Sequence, residues 1–415
     1  MITESLLRSY AALAVRQGVN VQKGQLLVIR AQVNSAPFVR LCVEEAYRAN
    51  AGEVIVQWQD DLISKTAYEW ADIEVLCQVP EWQKDREQHW VDRGYCLLNI
   101  SSEIPGLMSA IDAAKIQQVT TARRRALEKF QDYTMSNQGQ WCILAIPNSQ
   151  WAQKVFPECD PEEAVDRLWQ AILHSVRIDG RQDPAARWRE HDEKLARQCE
   201  WLNRQQFTSL HFHNGLGTDL TVALPEDHLW AGGAEKTQQG IVFNPNMPTE
   251  EIFTMPMRTG VEGRVCATRP LSYQGKLIQN FWIEFEGGRA VRWHAEEEEE
   301  TLSRLIEFDE GSCYLGEVAL VDVDTPIFRS GLLFYNTLFD ENASCHLALG
   351  RAYPMNLKGY QTLSEQQMKD RGCNFSMTHV DFMFGSEDMR ICGVRADGTT
   401  VEFFRDGRFC IAEEK

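Results

Sequence analysis

Apolar residues in the first half of the chain come in short unbroken runs, separated by stretches with helical spacing. GQLLVIRA and EVIVQWQD have the length and β-branched content of strands, and PFVRLCVEEAYRANA between them places its apolar positions three and four apart. Strand, helix and strand of this size make a β-α-β unit, whose parallel strands need a right-handed crossover. GYCLLNIS and WCILAIP supply two more strands with the helix TARRRALEKFQDY between them, and Asp160 and Pro161 open a later helix, PEEAVDRLWQAIL. The N-terminal MITESLLRSYAALAVRQG reads as an amphipathic helix closed by Gly18. The pattern predicts a small doubly wound α/β domain. Neither GxGxxG nor GxxxxGK[ST] follows a strand, so a dinucleotide or nucleoside triphosphate finds no phosphate loop.

From about Ile178 to Gln205 the chain turns strongly charged, which reads as a helical connector and places a first domain at 1–200 and a second at 201–415. Beyond it the period changes to two. SLHFHNG and LGTDLTVAL, then KLIQNFWIEF and RAVRWHA across EGG, read as antiparallel hairpins. The second domain is therefore predicted as α+β and mostly antiparallel sheet.

Length and charge narrow the picture. A chain of 415 residues exceeds one ordinary core. Lys and Arg number 42 against 60 Asp and Glu, a formal charge of −18, and no basic cluster alternates with aromatics, which argues against nucleic acid or an anionic membrane as partner. No run of about eighteen uncharged apolar residues predicts a membrane span. Glu296–Glu300 reads as the solvated first turn of the helix TLSRLIEF. The twelve cysteines are scattered without a CxxC pair, which fits reduced thiols and a cytoplasmic protein.

The candidate chemistry lies in the second half. LFYNTLFDENASCHLALGRAY holds Asp340, Glu341, His346 and Tyr353 among apolar residues, and in NFSMTHVDFMFG His379 and Asp381 stand two apart on a predicted strand, so both leave one face. Imidazole beside carboxylate suits a divalent first-row metal. Glu317 is the lone charge of YLGEVALV, and burying it costs several kcal/mol unless a cation, an Arg or backbone donors compensate. Asp340 ranks below Glu341 as a ligand because Asp also opens turns. Tyr353 alone also fits core packing. Cys345 beside His346 reads as a packed cysteine, since adjacent residues point apart and a Cys-His nucleophile must meet in space. His211 and His213 share a strand face without a matching third ligand and read as structural; His228 has no assigned role.

NMPTEEIFTMP, GRVCATRPL, LGEVALV, FYNTLFDENASCHLALGRAY, NFSMTHVDFM and the terminal DGRF, in that order, resemble the aminopeptidase T and aminopeptidase S family of metallopeptidases over roughly residues 205–415. VNVQKGQLLVI through AGEVIVQWQDD looks like the same family's N-terminal domain. The resemblance implies a pair of divalent ions (zinc, cobalt, manganese or magnesium) held by Glu251, Glu317, Glu341, His346, His379 and Asp381. Glu317 is the expected bridge, and Glu250 leaves the register of Glu251 open by one. It also implies Tyr353 as the catalytic tyrosine; seven residues past His346, it would share that residue's face if the segment is helical. The implied activity is release of N-terminal residues from short peptides by a metal-activated water, in a homodimer. A metallohydrolase of another amide or ester, and a non-catalytic metal-binding structural protein, are the alternatives.

Overall fold

The apolar runs of the first half form a wholly parallel sheet in the computed structural model, which describes residues 2–411. β1 (Leu26–Gln32) pairs on one side with β2 (Glu53–Gln59) and on the other with β3 (Cys96–Ser101), which pairs with β4 (Trp141–Ala145). The order is that of doubly wound sheets, in which central strands are covered on both faces and therefore read as continuous apolar runs. β1 is buried at every position but Arg30, whereas β2, at the edge, is only half-buried. The connecting helix Ala36–Arg48 has Pro37 in its first turn and buries Phe38, Val39, Cys42 and Ala46, the helical spacing its sequence shows.

The chain divides into two compact units, Met1–Glu190 with Ala234–Pro248, and His191–Gly233 with Thr249–Lys415. The division falls inside the helix Pro184–Gln205, within the charged stretch. Where the sequence pattern runs the first domain unbroken to residue 200, the structure has the chain return: Asn246–Met247 pairs in parallel with β4. A strand of two residues has no period to read.

In the second unit β5 (Ser209–His213) and β6 (Asp219–Ala223) form the first predicted hairpin. Lys276–Glu286 and Arg289–Glu297 form the next. Gly287 and Gly288, at φ 56° and 81°, make the two-residue turn, a conformation open to glycine and costly for other residues. The predicted helix follows as Glu299–Ile306, with only Glu299 and Glu300 of the acidic run in its first turn, since Glu296 and Glu297 end the preceding strand.

A separate four-stranded antiparallel sheet carries the candidate chemistry. Its order is β7 (Ile252–Thr254), β8 (Leu315–Leu320), β9 (His346–Gly350) and β10 (His379–Met383). One face delivers Val318, Leu320, Leu347, Leu349 and Phe382 to the apolar core of the unit. Alternation turns Glu317, His346, His379 and Asp381 to the other face. Glu317 needs help to get there, because Leu315, two residues earlier, also faces the core. An irregularity between Leu315 and Glu317 makes Gly316 the extra residue and resets the alternation.

Candidate metal centre

The segment from His346 is a strand, not the helix on which the His346–Tyr353 spacing was conditional. β8 and β10 pair with it on both sides, and its alternating Leu347 and Leu349 fill the core. Tyr353 still arrives at the site: the chain leaves β9 at Gly350, φ 109°, and the Tyr353 ring settles 4.8 Å from the His379 ring, with Phe253 edge-on at 5.9 Å. A side chain at Gly350 would place its Cβ 2.2 Å from the Thr378 carbonyl oxygen.

His346 Nε2 lies 2.8 Å from Glu251 Oε2 and 3.4 Å from Glu317 Oε1. His379 Nε2 lies 3.8 Å from Glu317 Oε2 and 3.3 Å from Asp381 Oδ1. These contacts define two donor groups, Glu251 with Glu317 and His346, and Glu317 with His379 and Asp381, each with ligand atoms within 4.8 Å of one another. Glu317 belongs to both. Glu341, which neither group includes, follows Asp340 in the turn Glu341–Ala343 and is half-buried, its carboxyl lying in the fields of Asp381 and Glu251.

The outer nitrogens of both imidazoles are spoken for. His379 Nδ1 donates to the Arg351 carbonyl at 2.7 Å and His346 Nδ1 to the Ser344 carbonyl at 3.2 Å. A carbonyl only accepts, so Nε2 is left to face the acids, the arrangement typical of metal-bound histidine. His346 Nε2, Glu251 Oε2 and Asp381 Oδ1 are buried and make no well-directed hydrogen bond, although His346 Nε2 and Glu251 Oε2 lie 2.8 Å apart. Orphaned nitrogen and oxygen donors converging on one spot fit a divalent cation.

The electrostatics make the same point. Burial pushes the Glu317 carboxyl up to about 7, against the lowering pull of His346 and His379. Burial also raises Glu341, and Asp381 and Glu251 raise it further. For the histidines, burial acts downward and is outweighed: Glu251 and Glu317 hold His346 well above its ordinary value, and Asp381 and Glu317 bring His379 to about 10. Asp381 resists burial and sits below its ordinary value because of His379. Buried acids that draw protons onto neighbouring imidazoles are an environment a cation would neutralise.

Asp340 does not open the turn that follows it. Its carboxylate instead accepts from the Phe334 N–H at 2.7 Å and the Asn336 N–H at 3.0 Å, clamping the preceding loop. Burial raises Cys345 to about 12 and its Sγ accepts from the Val321 N–H, as suits a packed thiol. His211 pairs with Asp219 at 2.7 Å across the β5–β6 hairpin. The buried His228 turns Nδ1 to the Pro225 carbonyl. His294 pairs with Glu299.

Sequence reasoning misses two supports. Asn342 Oδ1 accepts from the Glu250 N–H at 2.6 Å, tying the residue before Glu251 to the residue after Glu341. His191 Nε2 donates to the Thr249 carbonyl at 2.7 Å and lies 3.7 Å from Glu250 Oε2. Asn342 lies inside the DENA motif and was open to suspicion; His191, in a charged helix, carries no signal.

A buried sheet face that gathers carboxylates around Nε2-facing imidazoles fits a metal-dependent enzyme. The family described as "Thermophilic metalloprotease (M29)" matches residues 3–409. Aminopeptidase AmpS of Bacillus subtilis (strain 168) is 44% identical over 403 residues, 97% of this chain and 98% of that protein. Aminopeptidase T of Thermus aquaticus is 42% identical over 413 residues, 98% of each. The solved structure of wild-type AmpT from Thermus thermophilus superposes with a TM-score of 0.91 at 39% identity, covering 98% of this chain and 100% of that one. The chain belongs to the thermophilic metalloprotease (M29) family and is, by class, a metallo-aminopeptidase.

Proposed function

We propose that this chain releases N-terminal amino acids from short peptides, using two divalent ions held by Glu251, Glu317, Glu341, His346, His379 and Asp381. The position of Glu317 carries the reading, since its two oxygens face His346 and His379 separately and one carboxylate serves both donor groups. Ions bound there would lower the pKa of a shared water and polarise the scissile carbonyl. The residues do the rest. Glu317 would help hold both ions, and the carbonyls of Arg351 and Ser344 keep both imidazoles turned Nε2-inward. Burial and then the surrounding carboxylates hold the Tyr353 phenol well above its ordinary value, so it stays protonated. It donates a hydrogen bond to the substrate oxygen as the carbon becomes tetrahedral, worth about 3–4 kcal/mol. The excess of carboxylates over imidazoles suits the charged α-amino group that separates an N-terminal amide from an internal one. No helix among the described residues is long and apolar enough to cross a membrane. The family resemblance and the scattered cysteines extend the reading to a cytoplasmic homodimer.

The test is release of N-terminal residues by chelator-stripped protein titrated with cobalt, zinc, manganese or magnesium, beside Glu317→Ala, with N-acetylated peptides and acyl esters as competing substrates. Activity that returns with metal on free N-termini only, and is absent in the variant, supports the reading. Turnover of esters or blocked peptides instead contradicts it.

A further inference from the structure

The Tyr353 hydroxyl is aimed without a hydrogen bond of its own. Among the described residues no group donates to it or accepts from it, so its direction is left to the ring contacts with His379 and Phe253 and to the backbone that carries it. We infer that Asn356 is the positioning residue for Tyr353: its side-chain amide ties the turn after Tyr353 to the strand that follows Glu251, and so fixes the hydroxyl relative to the proposed ions. The inference rests on the proposed role of Tyr353.

The turn begins at a proline. A residue before proline is pressed into extended backbone, and Tyr353 adopts φ −85° and ψ 113°. The chain then closes a single 3-10 turn, Pro354–Asn356, in which the Asn356 N–H donates to the Tyr353 carbonyl at 3.1 Å. Asn356 thus holds the residue it positions by a direct main-chain bond.

The side chain of Asn356 reaches the other way. Asn356 is buried, and its Nδ2 donates to the Leu229 carbonyl at 3.0 Å and the Phe253 carbonyl at 3.3 Å. Its own carbonyl accepts from the Leu229 N–H at 2.7 Å. Phe253 lies in β7, two residues past Glu251, and its ring is the one set edge-on to Tyr353. One amide therefore refers Tyr353 both to the strand after Glu251 and to the aromatic ring beside it. An –NH2 group carries two protons on one neutral nitrogen, which two converging carbonyls require.

Those carbonyls do not need Asn356 in order to be satisfied. That of Leu229 also accepts from Thr254 Oγ1 at 2.9 Å, and that of Phe253 from the Ala231 N–H at 3.0 Å. Neither is orphaned by losing Nδ2, so the amide adds direction to groups that already have partners. The other side of the loop is held separately, the Ala352 N–H donating to the Asn374 carbonyl at 2.9 Å. Removing the Asn356 amide should loosen the turn and leave the fold in place.

The experiment compares wild type, Asn356→Leu, Tyr353→Phe and the double variant for kcat, KM, metal content and thermal unfolding. Hydrogen exchange of residues 353–357 is followed in chelated and in metal-loaded protein. Asn356→Leu keeps the size and removes the donor. It should lower kcat by about tenfold to a hundredfold, the scale of a misplacement of about 1 Å, with KM and metal content unchanged. In the Tyr353→Phe background it should lower kcat little further, because two residues acting through one hydroxyl are non-additive. Exchange in 353–357 should rise in chelated Asn356→Leu and stay at the wild-type level in Tyr353→Phe. Asn356→Ala, which removes the amide without adding volume, takes the place of Asn356→Leu should that variant fail to fold. Losses that multiply in the double variant or track lost metal, or an unchanged kcat in the folded Asn356 variants, would overturn the positioning role alone. Full turnover by Tyr353→Phe would overturn the reading beneath it.

Discussion

Gly316 packs against the main-chain oxygen of Gly350 so closely that a Cβ there would lie 2.4 Å from it. Gly316 is also the extra residue that turns Glu317 away from the core. Gly316→Ala must therefore push β8 from β9 or lose the irregularity, and either shift moves Glu317 relative to His346 and His379. We expect a destabilisation of about 1–3 kcal/mol, the scale of overpacking, and a loss of metal affinity exceeding what unfolding explains. Urea unfolding with metal titration on the folded fraction separates the two effects.

Tyr353→Phe removes one hydroxyl and leaves the ring packed against His379 and Phe253. Turnover should fall by about 10²–10³-fold while metal stoichiometry and KM change little. Full turnover would remove Tyr353 from catalysis.

Asn342→Ala deprives the buried Glu250 N–H of its acceptor. An orphaned buried donor costs about 1–3 kcal/mol, so stability should fall by that amount and metal should bind more weakly through the loosened Glu251 and Glu341 segments. Asn342→Asp keeps the acceptor and should recover much of the metal affinity, although it adds a charge. Equal losses in the two variants would deny the clamp.

The electrostatics predict an unusual pH profile for chelated protein. Glu317 has a folded pKa of about 7 against an ordinary 4.5, so its contribution to stability is complete below the lower value and is lost as pH rises through the upper. His379, raised from 6.5 to about 10, continues the loss over a higher range. Asp381 is depressed, and its contribution is lost only in acid, below its ordinary 3.8. The Tm of chelated protein should therefore fall between about pH 5 and about pH 8, and metal-loaded protein, its cations replacing those protons, should fall less, keeping only the share of Asp340, which burial raises to about 7 outside the proposed ligand set. Metal affinity should rise over the same interval. A chelated Tm that climbs with pH would contradict this.

The α/β half is legible because its strands are buried on both faces and its helices keep their apolar spacing, as in β1 and Ala36–Arg48. HVDFM shows that His379 and Asp381 share a face because a strand's period is two, and Glu317 stands out as a lone charge in an apolar run. What escapes reading is set by tertiary structure. The two-residue strand Asn246–Met247 has no pattern, and Gly316 reveals its role only against Gly350. The spacing of His346 and Tyr353 would put both on one face only in a helix, and the segment is a strand because two neighbours pair with it. Asp340, a natural turn opener, is taken instead by two N–H groups upstream.

The most direct test of the central claim is to count the divalent ions bound per chain, by elemental analysis after dialysis, in wild type and in folded Glu317→Gln. The account predicts two ions in wild type, no more than one in the variant, and N-terminal release lost with the second ion. Active wild type holding fewer than two ions, or a variant that keeps both ions and its activity, would contradict it.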